Sequence, residues 1–210
     1  MKRRRLKSIL ALVPMLVGAC ALTGQDSSEL TTYLLEWSDP VAEAPSVPTP
    51  CAAVLVTSPL SAPGYGTARM AYTQQDHRLD YFATTRWADT PARMLSPLLT
   101  RALQTSGLFK AAVESPAPID AQLRLESELL KLRQVFSDKA SSVELSMKFT
   151  LYDLMQGRVL ASRMLSVTEP SPSRDPYGGV IAANRAVDRM LTQLANFLAQ
   201  VLVTQPLDCG

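Results

Sequence analysis

The stretch that decides the fold is Val143–Val167, VELSMKFTLYDLMQGRVLASRMLSV. Its first half alternates apolar with polar residues, and the apolar positions are Val143, Leu145, Met147, Phe149 and Leu151. A period of two is typical of a strand with one face on a core and the other toward water. Gln156-Gly157 then predicts a turn, and further apolar residues predict a partner strand, namely Val159, Ala161, Leu165 and Val167. The stretch therefore predicts a half-buried β-hairpin.

Two long elements flank this hairpin. Gln122–Val135 predicts another strand, because Leu123, Leu125 and Leu129 alternate with polar residues. The alternation changes phase at Leu130 and Leu132, which indicates a β-bulge. After the hairpin, about Tyr177–Val203 predicts a helix, whose apolar stripe is Val180, Val187, Leu191, Leu194, Leu198 and Val201. At 1.5 Å per residue this helix reaches ~40 Å, enough to lie across a whole sheet.

Shorter elements fill the first half of the chain. Thr90 as N-cap, Pro91 in the first turn and Gly107 at the end predict a helix. Short strands are predicted at Thr31–Trp37, Cys51–Thr57, Ala68–Gln74, Leu79–Thr84 and Phe109–Val113. Together these elements predict an α+β fold, an antiparallel or mixed β-sheet with two helices packed on one face, in a single domain over residues 31–210.

The N-terminus predicts export and lipidation. Lys2–Lys7 is basic, Ile9–Val17 is apolar, and small residues precede Cys20, which is the pattern of a secretory signal over residues 1–19. The apolar run is about half the ~20 residues that a transmembrane helix needs. Val17-Gly18-Ala19-Cys20 resembles the lipobox of bacterial lipoproteins, which implies that Cys20 is lipidated. Residues 20–30 are then the lipidated tether and linker.

Charge and cysteine content narrow the function further. Five of the 21 basic residues lie in the signal, which leaves 16 against 19 acidic residues and argues against a nucleic-acid partner.

With Cys20 lipidated, Cys51 and Cys209 are an even pair in an oxidising compartment, which predicts a disulfide. Two unpaired thiols are the alternative.

Signals for catalysis are poor. The single histidine, His77, lies in a predicted turn, where a surface role is favoured over that of a general base. The chain has no Gly-x-Ser-x-Gly elbow and no cluster of histidines and cysteines at metal-ligand spacing. Gly64-Tyr65-Gly66 lacks the strand–turn–helix context of a phosphate-binding loop. We therefore predict no enzymatic activity, no metal site and no cofactor.

Two other features of the sequence each allow both a packing role and a binding role. Arg86-Trp87 precedes the first helix and is either a packed helix–sheet junction, with the arginine stacked on the tryptophan, or a contact point for a partner or an acyl chain. Several methionines either belong to the core or line an adaptable apolar groove, and these are Met94, Met147, Met155, Met164 and Met190.

A family resemblance is carried by several short segments. They are Tyr33-Leu34-Leu35, Val54–Pro63 leading into Arg69–Tyr72, Leu79–Tyr81 with Arg86–Asp89, the hairpin with Gly157–Leu160, and the final alanine-rich helix. In these segments the chain resembles the ABC-type transport auxiliary lipoproteins of Gram-negative bacteria, the group that includes paraquat-inducible lipoprotein C. Ala62–Gly66 departs from the family, which often has a tyrosine-leucine-aspartate run there.

The resemblance implies a non-catalytic component of an MCE-type ABC transport system that moves phospholipid or other apolar molecules between the inner and outer membranes. Its implied partners are an MCE-domain protein, a permease and an ATPase, and a homo-oligomer is left open. Ala21 follows Cys20 where inner-membrane retention typically uses Asp, so we expect a lipid anchor in the outer membrane, on its periplasmic face. One alternative is an assembly factor or chaperone for a β-barrel protein. Another is a periplasmic hydrolase that depends on His77.

Overall fold

Nine strands form a mixed sheet with two helices in the part of the chain that the structure, a computed structural model, describes: residues 29–38 and 50–207. The strands are β1 (Thr31–Tyr33), β2 (Ala53–Val56), β3 (Leu60–Ser61), β4 (Arg69–Thr73), β5 (Asp80–Trp87), β6 (Ala111–Glu114), β7 (Leu123–Phe136), β8 (Ser141–Asp153) and β9 (Arg158–Pro170). The helices are α1 (Pro91–Thr105) and α2 (Pro176–Thr204).

The strand β7 lies at the centre of the sheet. Along one edge it pairs with β8 over its whole length, and β8 pairs with β9, both antiparallel. The predicted hairpin is therefore confirmed as β8 and β9. The predicted bulge is also confirmed, because the pairing of β7 with β8 shifts register between Leu129 and Lys131.

The other edge of β7 pairs in turn with three short strands, all parallel to it. Val54 of β2 faces Leu123, Leu60 of β3 faces Glu128, and Ala71 of β4 faces Arg133. Beyond them β2 pairs with β6, while β4 pairs with β5 and β5 with β1. Along the path from β1 through β7 to β9, the two edge strands are five spacings apart, about 24 Å.

Both helices cover the same face of the sheet. The strand residues beneath them are fully buried and include Leu125, Leu129, Leu145, Met147, Phe149 and Leu151. From α2 they meet Met190, Leu191, Leu194 and Leu198. Each such side chain contributes about 1.5–3 kcal/mol through removal from water. The predicted α+β class, with two helices on one face of a mixed sheet, is confirmed.

The first strand is shorter than predicted. Pairing with β5 ends at Tyr33, although the alternating pattern continues to Trp37. The reason is that Leu35 and Trp37 bury their side chains in the helix-covered core instead of extending the sheet. The two-residue strand β3 was not predicted, because two residues carry no readable period.

Several predicted features lie outside the described residues. These are the signal peptide at 1–19, Cys20 with most of the tether, and Cys209. Lipidation and the pairing of Cys51 with Cys209 therefore stay predictions. Within residues 29–38 and 50–207, none of the helices combines the length and apolar character that a membrane crossing requires.

Candidate contact surfaces

Residues 34–38 form an extended segment that lies along α2, here called the strap. The backbone N–H of Glu36 donates to Asn184 Oδ1 at 3.0 Å, and that of Ser38 donates to Asp188 Oδ1 at 3.2 Å. Inside the strap, Trp37 is buried, and the guanidinium of Arg101 from α1 lies 5.0 Å from its ring centroid. The strap is thus fixed to both helices.

The geometry of extended chain and helix explains the register of the strap. Tyr33 contacts Tyr177 of α2, with ring centroids 5.9 Å apart. From Tyr33 to Glu36 an extended chain advances about 10 Å, and a helix advances about 10.5 Å from Tyr177 to Asn184. The advance of the strap from Glu36 to Ser38 and the advance of α2 from Asn184 to Asp188 also agree to within about 1 Å. The strap therefore runs in the same direction as α2 without strain.

Three large apolar or aromatic side chains are exposed in this region. Leu30 is 45% exposed, Leu34 is 53% exposed and Tyr177 is 57% exposed. Thr32 lies between the two leucines, and its Oγ1 accepts a hydrogen bond from Arg86 Nε at 3.4 Å. We call the surface formed by these five residues the tether edge, because the chain arrives there from Cys20.

The structure separates the two members of the Arg86-Trp87 pair. Arg86 is exposed and bonds Thr32, so its side chain is available for contact. Trp87 is only 4% exposed, and its backbone N–H donates to Ala68 O at 2.8 Å. Trp87 thus has the packing position of a helix–sheet junction. A contact role for the pair stays a prediction that rests on Arg86.

A second surface is the sheet face of β7, β8 and β9 that the helices do not cover, here called the open face. Arg133 and Glu144 face each other across β7 and β8 and form an ion pair at 2.9 Å. Arg124 and Glu126 form another at 3.0 Å on the same strand. Hydroxyl pairs link β8 to β9 at Ser146–Ser166 (2.8 Å) and Thr150–Ser162 (2.9 Å). Balanced charges and hydroxyls make this face a polar contact surface.

A shallow groove crosses the open face. Its lining residues are Leu60, Glu126, Ser127, Glu128, Lys148, Thr150 and Tyr152. The charge of Glu126 is the main cause that raises the pKa of the Tyr152 phenol above its ordinary 10.0, so this hydroxyl stays protonated at neutral pH. Glu126 and Glu128 alternate with buried residues of β7 and therefore lie on the side of that strand that faces this groove.

The turn between β8 and β9 forms a third surface, the hairpin tip, made of Leu154, Met155 and Val159. All three are exposed, Met155 by 77%. Buried Asp153 holds the turn, because its Oδ1 accepts from the N–H groups of Met155 and Gln156, both at 3.0 Å. These hydrogen bonds fix the backbone of the turn that carries the exposed apolar side chains. Near it, Gln205 beyond the end of α2 donates to Leu160 O at 3.0 Å.

The remaining candidate residues are dispersed. His77 lies in the turn before β5 with a φ of 65°, and no group of three or more His, Cys, Asp or Glu that suits a metal occurs in the described ranges. The methionines do not share a groove. Met147 and Met190 are core residues, Met94 packs against the core, and Met155 and Met164 are exposed.

Sequence reasoning missed the residues that hold the strap. Asn184 and Asp188 are four positions apart on α2, a spacing that places them on one side of a helix. That spacing is a readable signal for a polar helix face. It does not reveal that the amides of Glu36 and Ser38, nearly 150 residues earlier, are the groups bound there.

Comparison with solved structures finds the same fold elsewhere. Protein XCC0632 from Xanthomonas campestris, of the family DUF330, superposes with a TM-score of 0.74 at 21% identity, covering 83% of this chain and 97% of that one. A second crystal structure, of an uncharacterized protein, gives a TM-score of 0.63 at 13% identity, covering 81% of this chain and 99% of that one. At these identities the likeness establishes the fold.

Curated proteins offer no significant match to the sequence. A family model, described as the ABC-type transport auxiliary lipoprotein component, matches residues 33–195. The matched range begins at Tyr33, beside the strap, and includes every strand from β2 to β9 and most of α2. The chain therefore belongs to the family of ABC-type transport auxiliary lipoprotein components.

Proposed function

We propose that this chain is a lipid-anchored, non-catalytic accessory subunit of an ABC-type transport system in the bacterial envelope. The observation that carries the proposal is the family match over residues 33–195, which spans nearly the whole described fold. The tether edge, the open face and the hairpin tip are exposed surfaces on one sheet. Such surfaces suit an adaptor, a protein that binds partners and converts no substrate.

The anchor in this proposal is the lipid on Cys20. The basic start, the apolar run and the lipobox-like Val17–Cys20 support it, and Ala21 supports sorting to the periplasmic face of the outer membrane. Two or three acyl chains hold a protein almost permanently, whereas one holds it weakly. Mass spectrometry of the mature N-terminus tests the anchor, with Cys20→Ser as the variant expected to leave the membrane fraction. An unmodified Cys20, in a protein that is recovered in the soluble fraction after the membranes are washed, would contradict the proposed anchor.

The partners in this proposal are an MCE-domain protein, a permease and an ATPase, which together move phospholipid or another apolar cargo between the two membranes. The hairpin tip supports a partner contact, because Met155 is rigidly presented and mostly exposed. Flexible, polarisable methionine suits adaptable apolar interfaces.

Site-specific photo-crosslinking in intact cells tests the partners. A crosslinking side chain at Met155 should capture an MCE-domain protein, identified by mass spectrometry. The same side chain at Gln193, exposed on α2, is the matched control and should capture none. A third position, Arg86, examines the contact role predicted for the Arg86-Trp87 pair. Capture of a β-barrel protein alone would favour the assembly-factor alternative and contradict the proposal.

A disulfide between Cys51 and Cys209 completes the proposed architecture. Cys51 lies two residues before β2, and Leu207, two residues before Cys209, packs against the core. The bridge would join the start of the sheet to the chain end and contribute about 2–4 kcal/mol. Peptide mapping of the exported protein without reductant should recover the two cysteines in one linked peptide. Alkylation of both without reduction would contradict the bridge.

A further inference from the structure

We propose that the tether edge lies against the interfacial region of the bilayer that holds the Cys20 lipid. In this orientation α2 leads away from the membrane, and the hairpin tip is the most distant part of the body. The inference rests on the proposed function, because it takes the lipid on Cys20 as given.

The length of the tether supports this orientation. Leu30 is the tenth residue after Cys20, so the connection can span at most ~35 Å. The strap starts at the N-terminal end of α2, where Tyr33 contacts Tyr177. The hairpin tip lies near the other end of this 29-residue helix, ~40 Å away. The tether edge is therefore the surface that the tether keeps nearest the membrane.

The chemistry of the tether edge suits the bilayer interface. Tyrosine is enriched at the level of the headgroups, where its apolar ring and polar hydroxyl are both accommodated, and leucine enters the acyl boundary. Leu30 and Leu34, on the side of the chain opposite Tyr33, and Tyr177, which contacts Tyr33, supply this combination at the sheet edge that β1 forms. The exposed charges at or beside this edge, those of Arg86, Glu29 and Glu36, include both signs, so we assign the orientation to the apolar side chains. Because the lipid already holds the protein, these few contacts suffice to orient it.

The hairpin tip is the competing surface, since it also exposes apolar side chains. If the hairpin tip faced the bilayer, the folded body would have the opposite orientation, with the tether edge pointing away from the membrane. The two surfaces lie at opposite ends of α2, so a probe on each distinguishes the two orientations.

The test uses the mature acylated protein in vesicles of phosphatidylethanolamine and phosphatidylglycerol with brominated acyl chains, which quench nearby tryptophan fluorescence. The probes are Leu34→Trp on the tether edge and Met155→Trp on the hairpin tip, both at exposed positions. Tyr177→Trp repeats the tether-edge measurement from α2. Trp37 and Trp87 are buried and give the background that is measured in the wild type.

We expect Leu34→Trp and Tyr177→Trp to lose emission in brominated relative to unbrominated vesicles, and Met155→Trp to behave as the wild type does. Equal loss at both ends, loss at Met155→Trp alone, or no loss would overturn the inference. Sedimentation with the vesicles separates the two claims. A protein that stays in the supernatant refutes the Cys20 anchor and this orientation with it, whereas one that sediments without tether-edge quenching refutes the orientation alone.

Discussion

The amide of Gln134, buried on β7, lies directly against the backbone of Gly179 in the first turn of α2. Its Nε2 donates to Ser141 Oγ at 2.9 Å and to the carbonyl of Asp175 at 3.2 Å, so the amide is held in place. A Cβ at Gly179 would overlap the Oε1 and Cδ atoms of Gln134. This contact fixes the distance between the start of α2 and the sheet.

Gly179→Ala should therefore destabilise the protein. Alanine favours a helix by up to about 1 kcal/mol over glycine, but forcing a group into a packed contact costs about 1–3 kcal/mol. We expect a net loss that urea unfolding of the detergent-solubilised lipoprotein measures as a lower midpoint. Gly66→Ala is the control, because a Cβ there meets only Ser61 Cβ at 3.7 Å. Equal stability of the two variants would refute the contact.

Asn184→Ala should loosen the strap. The lost acceptor for the Glu36 N–H contributes about 0.5–1.5 kcal/mol. Hydrogen exchange at the Glu36 amide should accelerate, while amides of β8 should not change. Asn196→Ala is the matched control, since the Asn196 side chain is exposed on the same helix and makes no hydrogen bond among the described residues. Unchanged exchange at Glu36 in Asn184→Ala would disprove this role.

Arg189→Ala should destabilise the pairing of α2 with β9. Arg189 Nε lies 2.8 Å from Oε1 of Glu169, whose side chain is 3% exposed. Loss of the cation leaves a buried carboxylate unpaired, which costs 3–5 kcal/mol in a fully buried pair, and solvent access at Arg189 reduces this to about 1–3 kcal/mol. Arg185→Ala, exposed one turn earlier and without an ion pair in the described chain, should cost little. Thermal unfolding of both variants compares the two.

Asp175→Asn should change the acid sensitivity of the fold. The Asp175 carboxylate caps α2 by accepting from Gly178 N at 2.7 Å, and this bond, with a second from Ser173, lowers the pKa of Asp175 below its usual 3.8. A depressed pKa stabilises the fold above pH 3.8, and this contribution disappears as the pH falls through the folded-state value. The melting temperature of the wild type should thus fall more steeply below pH 3.8 than that of Asp175→Asn, and parallel curves would contradict this linkage.

The long periodic segments could be predicted from the sequence, and the short strands β2, β4, β5 and β6 lie within or overlap predicted stretches, but the pairing of the short strands could not be predicted. Strand β8 and helix α2 each keep one period for a dozen residues or more, and β7 keeps a period of two on either side of its bulge, so the predicted hairpin, bulge and α+β class were correct. The parallel pairing of β2, β3 and β4 along one edge of β7 leaves no period in the sequence, because it joins segments far apart in the chain.

The strap shows why the contact surfaces were harder to predict. The sequence predicts one strand over Thr31–Trp37, and an extended chain is indeed present there, with Leu35 and Trp37 buried and Leu34 and Glu36 exposed. Only the partner differs, since the side chains of Asn184 and Asp188 replace a neighbouring strand after Tyr33. For the Arg86-Trp87 pair the sequence left two alternatives open, and the fold shows that Trp87 is buried.

The attachment of β1 and the strap also has a mechanical consequence. With the proposed lipid on Cys20, a pull from the membrane would enter through the chain that precedes Thr31, which continues directly into β1 beside β5 and then into the strap along α2. A pull along this extended segment loads its hydrogen bonds in shear, all at the same time, instead of peeling them open one by one. In the proposed lipid-anchored adaptor, this attachment would therefore resist tension at the point where the anchored chain transmits it.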